Sequence, residues 1–319
     1  MTENAIFSPA TGPLTIALLV LPHSSILEVA STLDPLRAAN RHLGSEAYRW
    51  RVVTPDGQPA ALTCGIELPS SGPLSAAEGA DALIVIAGYR LAEVATRPLI
   101  RELSRMARSF PLLGGIDAAP WVLARAGLLN GHKATVHWED LEDLAAAFPE
   151  IDVQPTRFVI DRNRVTASGA APAADLMLHL IRCRHGAPLA RQVAASFLTI
   201  ARDGSEPQIA AHGTDSTLDP RVAQAIARME ATLDAPEPMS TLSHSVGLSP
   251  RRMEALFRRC LGTTPGAYAL SLRLAAARRL LTDTRHPLSE VALRTGFSSP
   301  STLSRAFRNA FDTPPGALR

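Results

Sequence analysis

The chain has 319 residues, 46% of them hydrophobic, with 25 prolines and 20 glycines spread along it, so two ordinary domains with real cores fit and low complexity does not. A net charge of +2 hides an asymmetry: residues 220–319 carry 14 arginines against 7 acidic residues, whereas residues 1–219 carry 18 basic against 23 acidic ones, so the tail is suited to a polyanion. No apolar run reaches the roughly 18 residues of a membrane span, the opening MTENAIFSPATGPL does not read as a signal peptide, and Cys64, Cys183 and Cys260 match no zinc spacing and suit a reducing, cytoplasmic setting.

In chain order, LTIALLVL (residues 14–21) is a continuous apolar run of strand length. Residues 25–41 then place Ile26, Val29, Ala30, Leu33 and Leu36 at helical spacing, with Pro35 expected to kink or break the helix. YRWRVVTP (48–55) and ALIVIAG (82–88) read as strands, and residues 97–108 as an amphipathic helix. PLLGGI returns as a strand, residues 119–126 as a helix, and ATVHWEDLEDLAAAF as a short strand and a helix. RFVIDRNRVTAS (157–168) reads as a hairpin around Arg162-Asn163, and residues 173–184 and 189–202 as helices. Strands alternating with helices predict an α/β domain, a flavodoxin-like open parallel sheet covered on both faces. It is expected over residues 1–202, followed by a polar linker over 203–219 and an all-α domain over 220–319.

That last domain repeats one pattern twice, in MSTLSHSVGLSPRRMEALFRRCLG and in PLSEVALRTGFSSPSTLSRAFRNAFDTPP. Each copy has a short helix, a glycine (Gly247, Gly296) suited to a left-handed turn, an apolar plug (Leu248, Phe297), and a serine N-cap followed by proline (Ser249-Pro250, Ser299-Pro300). The second helix of each copy fits a DNA major groove. Arg251, Arg252, Ser301 and Arg305 are the candidates for base contact. Thr302 shares their outward face, and Arg258, Arg259, Arg294 and Arg308 are candidates for phosphate. A helical bundle with a solvated arginine face is the alternative, which the matching order and spacing of two units disfavour. Residues 266–284 would be a helix joining the units. The region resembles the AraC/XylS-type DNA-binding domain over residues 218–319, with His244 departing from the acidic or small residue usual there.

The first domain resembles the PfpI-like, class I glutamine amidotransferase-like superfamily. The likeness lies in a strand, a sharp bend and a helix followed by ATVHW. With its tail, the chain resembles the GlxA-type transcriptional regulators, closest to those of quaternary-amine (betaine, carnitine) or arginine catabolism. DPLRAANR, GGIDAAPWVLARAGLLNGHKATVHWED, RFVIDRNRVTASGAAPAADLMLHLI and HGAPLARQVA carry that likeness. It puts the superfamily's nucleophilic cysteine at or next to Asp117, and an acidic partner, Glu28 in SSILEVA, beside it. Adjacent carboxylates repel, so one must hold a proton, do acid–base chemistry, or accept a cation. The reading favoured is a pocket that lost its chemistry and became a receptor, with no catalytic residues, metal or cofactor.

Tyr89, Trp121 and Trp138 flank strand ends and would offer aromatic faces to an ammonium group; either tryptophan could instead be ordinary core. His137 is nominated for the site by the resemblance alone. The expected function is a DNA-binding transcription regulator, an activator by resemblance, that answers to a small-molecule effector, a quaternary amine or amino acid. The resemblance adds a homodimer and RNA polymerase as partners. The rival is an amidotransferase-like hydrolase with a tethered DNA-binding domain.

Overall fold

The computed structural model describes residues 5–9, 12–208, 219–284 and 286–318, with only the backbone of Asp283. The chain divides into two units, Met1–Gln208 and Ile209–Arg319.

In the first unit, β1 (Leu14–Val20) is apolar apart from Thr15 because both its faces are covered. Ile16, Leu18 and Val20 enter one core, and Ala17 and Leu19 the other. The chain continues through α1 (Ile26–Leu43) and β2 (Tyr48–Val53) to a two-stranded ribbon of β3 (Ala60–Ala61) and β4 (Glu67–Leu68). Then come β5 (Ala82–Ala87), the single turn α2 (Leu91–Val94), α3 (Arg97–Met106), β6 (Leu112–Asp117) and α4 (Ala119–Arg125). β7 (Lys133–Ala134), α5 (Leu141–Ala147) and β8 (Asp152–Val153) follow. β9 (Phe158–Asp161), β10 (Arg164–Ala167), α6 (Ala170–His185) and α7 (Ala187–Ser196) close the unit.

The main sheet has six strands in the order β2-β1-β5-β6-β10-β9, parallel except for β9, which is antiparallel to β10. Residues of α1, α6 and α7 share one core with it, and residues of α3 and α4 share the other. From β1 the chain winds outward to β2 and then returns to β5 on the other side. The carboxyl ends of β1 and β5 therefore bound a topological switch point, where open α/β sheets place their ligand crevice.

Three sequence expectations change. α1 runs unbroken through a buried Pro35. The helix expected over residues 189–202 stops at Ser196. Leu198 turns left-handed (φ +53°), and Thr199 N–H closes back on Ala194 O at 3.1 Å. The chain is then recaptured, because Asp175 Oδ1 accepts Arg202 N–H at 2.9 Å. Residues 203–208, read above as linker, are held on the first unit: Phe158 N–H donates to Gly204 O (3.3 Å), Arg157 N–H to Glu206 O (3.0 Å), and Gln208 Nε2 to Thr135 Oγ1 (2.7 Å). The rest of that linker, residues 209–218, lies outside the described residues.

The second unit is helical among its described residues: α8 (Pro220–Ala231), α9 (Met239–Ser245), α10 (Pro250–Leu261), α11 (Pro265–Asp283), α12 (Leu288–Arg294) and α13 (Pro300–Phe311). Val222, Ile226, Leu242, Met253 and Phe257 form one core, and Leu281, Val291, Leu303 and Phe307 the other. α11 supplies residues to both. No described helix is long and apolar enough to cross a membrane.

Candidate functional site

The bend at Asp117 follows from its neighbours. Asp117 ends β6 at φ +63°, a left-handed conformation that costs most L-residues roughly 1–2 kcal/mol and that aspartate tolerates better than most. Ala118 N–H donates to Ala87 O (2.9 Å), and Pro120 sits in the first turn of α4, where a missing N–H is harmless. The glycine pair before the bend is needed for close approach. A Cβ on Gly114 would lie 2.8 Å from Val165 Cγ2, and one on Gly115 would lie 3.0 Å from Leu123 Cδ1.

Glu28 arrives from the other side of the switch point. Ser25 caps α1, its Oγ accepting from Leu27 N–H (3.2 Å), while Glu28 Oε2 accepts from Ser25 N–H (3.4 Å) in a capping box. Ser24 Oγ lies 2.8 Å from Leu21 O and 3.1 Å from Ile86 O, joining the ends of β1 and β5 beneath this turn. The Glu28 side chain is thereby fixed at the start of α1, 5% exposed.

The two carboxyl groups are hydrogen-bonded to each other. Two carboxylates cannot share a hydrogen bond without a proton. Burial, then the Asp117 charge and the hydrogen bond to it, push Glu28 up to about 9. Burial pushes Asp117 up to about 7, the hydrogen bond from Glu28 acts against that rise, and the charges of Asp140 and Glu139 add to it. The proton therefore rests on Glu28, and Asp117 is the member that ionises first.

Two glycines lie beside Asp117, and a Cβ on the first, Gly88, would already press on His23 O at 3.2 Å. A Cβ on Gly88, just past β5, would stand 3.6 Å from Asp117 Oδ2; one on Gly169, just before α6, would stand 3.9 Å from Asp117 Oδ1 and 4.0 Å from His137 Cδ2. His137 N–H donates to Asp117 O (3.2 Å), and its Nδ1 is 3.8 Å from Glu139 Oε2. Tyr89, next to Gly88 and 51% exposed, and Trp138, next to His137 and 41% exposed, follow these residues in the chain. His23 accompanies them: Tyr89 N–H donates to His23 O (3.2 Å), and Arg90 Nη1 lies 3.3 Å from His23 Nε2.

Trp121 is a correction. It packs edge-on against Phe148, with ring centroids 5.9 Å apart, and the Arg125 guanidinium lies 5.9 Å from its ring. On α4, Ala119, Val122 and Leu123 face the sheet, so residue 121 falls to the side and joins the core beside Phe148. Sequence reasoning missed Glu139 and Asp140, although HWED places them next to His137, and missed Gly88, where a Cβ would press on His23 O at 3.2 Å, and Gly169, whose φ of +154° suits glycine. Among the described residues, no group of three or more His, Cys, Asp or Glu is arranged to hold a metal.

In the second unit, both repeats fold as the pattern requires. Gly247 and Gly296 have φ of +69° and +67°, Leu248 and Phe297 are buried, and Ser249 and Ser299 cap their helices through Arg252 N–H and Thr302 N–H. Arg251, Arg252, Ser301, Thr302, Arg305 and Arg308 are exposed on α10 and α13. Arg258 pairs with Glu254 (3.0 Å), Arg294 with Glu290 (2.9 Å), and Arg259 lies 3.9 Å from Asp219. Among the described residues, no carboxylate pairs with Arg251, Arg252, Arg305 or Arg308. The hydroxyls of Ser301 and Thr302 lie 2.8 and 2.9 Å from Ser299 Oγ.

Arg273 was also missed. From α11 it donates to Thr295 O (2.7 Å) and Gly296 O (2.6 Å) and stacks 4.1 Å over the Phe297 ring, so it locks the joining helix to the second turn. Its place in an otherwise apolar run, SLRLAAA, was the available signal.

A model of the DJ-1/PfpI family matches residues 15–183, and a helix-turn-helix domain model matches residues 242–319. The HTH-type transcriptional regulator GbdR of Pseudomonas aeruginosa is 35% identical over 95% of this chain and 83% of its own. The HTH-type transcriptional regulator CdhR of the same organism is 36% identical over 94% of this chain and 90% of its own. The crystal structure of an AraC family transcriptional regulator from Pseudomonas putida is 28% identical, with a TM-score of 0.53, over 59% of this chain and 100% of that one.

Proposed function

The chain belongs to the HTH-type transcriptional regulators that join a DJ-1/PfpI-like sensor domain to an AraC-type DNA-binding region, and from that premise we propose that it is switched by a small cationic effector, an amine or an amino acid, bound at Glu28 and Asp117. One observation carries this reading: two carboxyl groups share a hydrogen bond at the switch-point crevice, with Glu139 and Asp140 close by. Such a site repels anions and gains from a cation. His137, Tyr89 and Trp138 border it. The site binds and does not turn over, since a carboxylate beside a second carboxylate and two further acids is a poor home for the negative charge that builds in acyl transfer.

The exposed faces of α10 and α13 are the proposed DNA surface, with the base and phosphate roles given above. α11, 19 residues long, spans about 28 Å at 1.5 Å per residue, which suits recognition helices placed roughly one DNA turn apart. The chain acts as a homodimer and as an activator that engages RNA polymerase, and effector binding shifts the arrangement of its DNA-binding regions.

Thermal melting of the full chain against a panel of amines and amino acids, with Asp117→Asn beside it, tests the receptor. A true effector at about 100 times its Kd adds about 2.7 kcal/mol and raises the melting temperature of the wild type by several degrees. If no compound in the panel raises it, the receptor reading is wrong.

A further inference from the structure

We propose that the first unit holds a second ligand site, a cavity of about 620 Å³ between α6, α7 and the chain at residues 199–206, and that it takes a monocarboxylate with an apolar body. The volume falls within the roughly 300–1,000 Å³ of small-molecule sites. Neither Glu28 nor Asp117 lines it, so this site stands whether or not the crevice binds a cation.

Three walls make the cavity. On α6, Asp175, Leu178, His179 and Arg182 fall on one face at helical spacing and line it. On α7, Ala187, Ala190, Ala194 and Ala195 do the same, and their single methyl groups leave the room that longer side chains would fill. The third wall exists because the chain turns back after α7. Leu198 is left-handed, Asp175 Oδ1 accepts Arg202 N–H at 2.9 Å, and Phe158 N–H holds Gly204 O at 3.3 Å. Residues 199–203 are thereby drawn across the groove. Ile200, on this third wall, is 86% exposed, an apolar side chain in water that the body of a ligand would cover.

The charges on these walls set the sign of the ligand. Asp175, 6% exposed, is committed to Arg157 Nε at 2.9 Å as well as to Arg202 N–H. The Arg202 guanidinium pairs with Glu206 at 2.6 Å. Asp203 accepts from Ser205 Oγ (2.6 Å) and Ser205 N–H (3.0 Å). Arg182 Nη2 lies 2.8 Å from Nδ1 of His179, whose ring packs against Phe7 and Phe158. Among the described residues, no carboxylate forms an ion pair with Arg182 or with Arg191, the remaining charged group of the lining. With the pairs closed, two arginines stand against Asp203 alone, an excess of one positive charge. A single carboxylate neutralises it and matches the planar fork of a guanidinium, while the alanine wall takes the apolar body.

The test is calorimetric titration of the full chain with butyrate, hexanoate and octanoate, with octanamide as the same tail without the charge. Affinity is expected to rise by about threefold to fourfold per added CH₂, and octanamide is expected to bind at least tenfold more weakly than octanoate. Arg191→Glu is expected to weaken octanoate binding at least tenfold. Ala195→Trp, which fills the groove from an exposed position, is expected to abolish it. Asp117→Asn is expected to leave it unchanged. Affinity that ignores chain length, octanamide as tight as octanoate, or full binding by Arg191→Glu overturns the proposal. Loss of binding in Asp117→Asn would place the carboxylate at the crevice and overturn it as well. If wild type binds none of these acids and Ala195→Trp turns a dimer into a monomer in sedimentation, a second copy of the chain covers the groove and the ligand site is refuted.

Discussion

Replacing Glu28 by Gln removes the proton equilibrium while preserving shape and donor, so the consequence is set by linkage. The Glu28 carboxyl is pushed from 4.5 in the unfolded chain to about 9 in the folded one. Between those values the native state holds one proton that the unfolded state has released. Stability from this group is therefore complete at low pH and is lost as pH rises through that window. The slope is about 1.4 kcal/mol per pH unit, hence about 2.7 kcal/mol between pH 6 and pH 8. Glutamine has no such loss, and titration of the remaining groups largely cancels between the two proteins. For a domain of this size 1 kcal/mol moves the melting temperature by roughly 2–4 °C. The gap between Glu28→Gln and wild type is therefore expected to widen by about 5–10 °C from pH 6 to pH 8. All three tryptophans, Trp50, Trp121 and Trp138, lie in the first unit, so their fluorescence reads that unit's melting alone. Parallel pH profiles for the two proteins would refute a shared proton at this site.

Trp138→Ala is expected to weaken cation binding by roughly threefold to tenfold through loss of one aromatic face. Trp121→Ala should instead destabilise the first unit by about 3 kcal/mol, as a core truncation does, and leave cation affinity unchanged; equal loss of binding in both would return Trp121 to the site. Arg305→Ala is expected to weaken binding to a selected operator by about 1–3 kcal/mol and binding to random duplex by much less. Equal losses in gel-shift titrations would make it a phosphate contact. In Gly296→Ala the new methyl would meet Leu233 O at 2.5 Å and Pro236 Cδ at 2.7 Å in a left-handed turn. A loss of at least about 2 kcal/mol in the second unit is expected by helical circular dichroism, and an unchanged melting curve would contradict that packing.

What could be read from the sequence, and what could not, divides along local and non-local physics. The bend at GGID, the caps at Ser249 and Ser299, and the left-handed turns at Gly247 and Gly296 are decided within a few residues, and they fold as their chemistry requires. Only the resemblance puts Glu28 beside Asp117, because the two lie 89 positions apart and no local pattern links them. Trp121 could not be placed, because its spacing on α4 allows either the crevice or the core, and only Phe148, 27 positions further along the chain, decides it. The end of α7 is hidden from the sequence for a similar reason. Ser196 is followed by no helix breaker, and the chain turns because Asp175 holds Arg202 from another helix. Residues 203–208 are polar and look like linker, yet their backbone groups bond to the first unit through Arg157 and Phe158.

The affinity of the full chain for its best cation from the panel, measured by calorimetry with and without an operator duplex selected in vitro, tests the coupled receptor most directly. A receptor coupled to DNA binding must show different affinities in the two titrations, by fivefold or more for a coupling free energy of about 1 kcal/mol or above, and Asp117→Asn must lose the response. Identical affinities with and without the duplex would mean that the crevice and the recognition helices do not communicate.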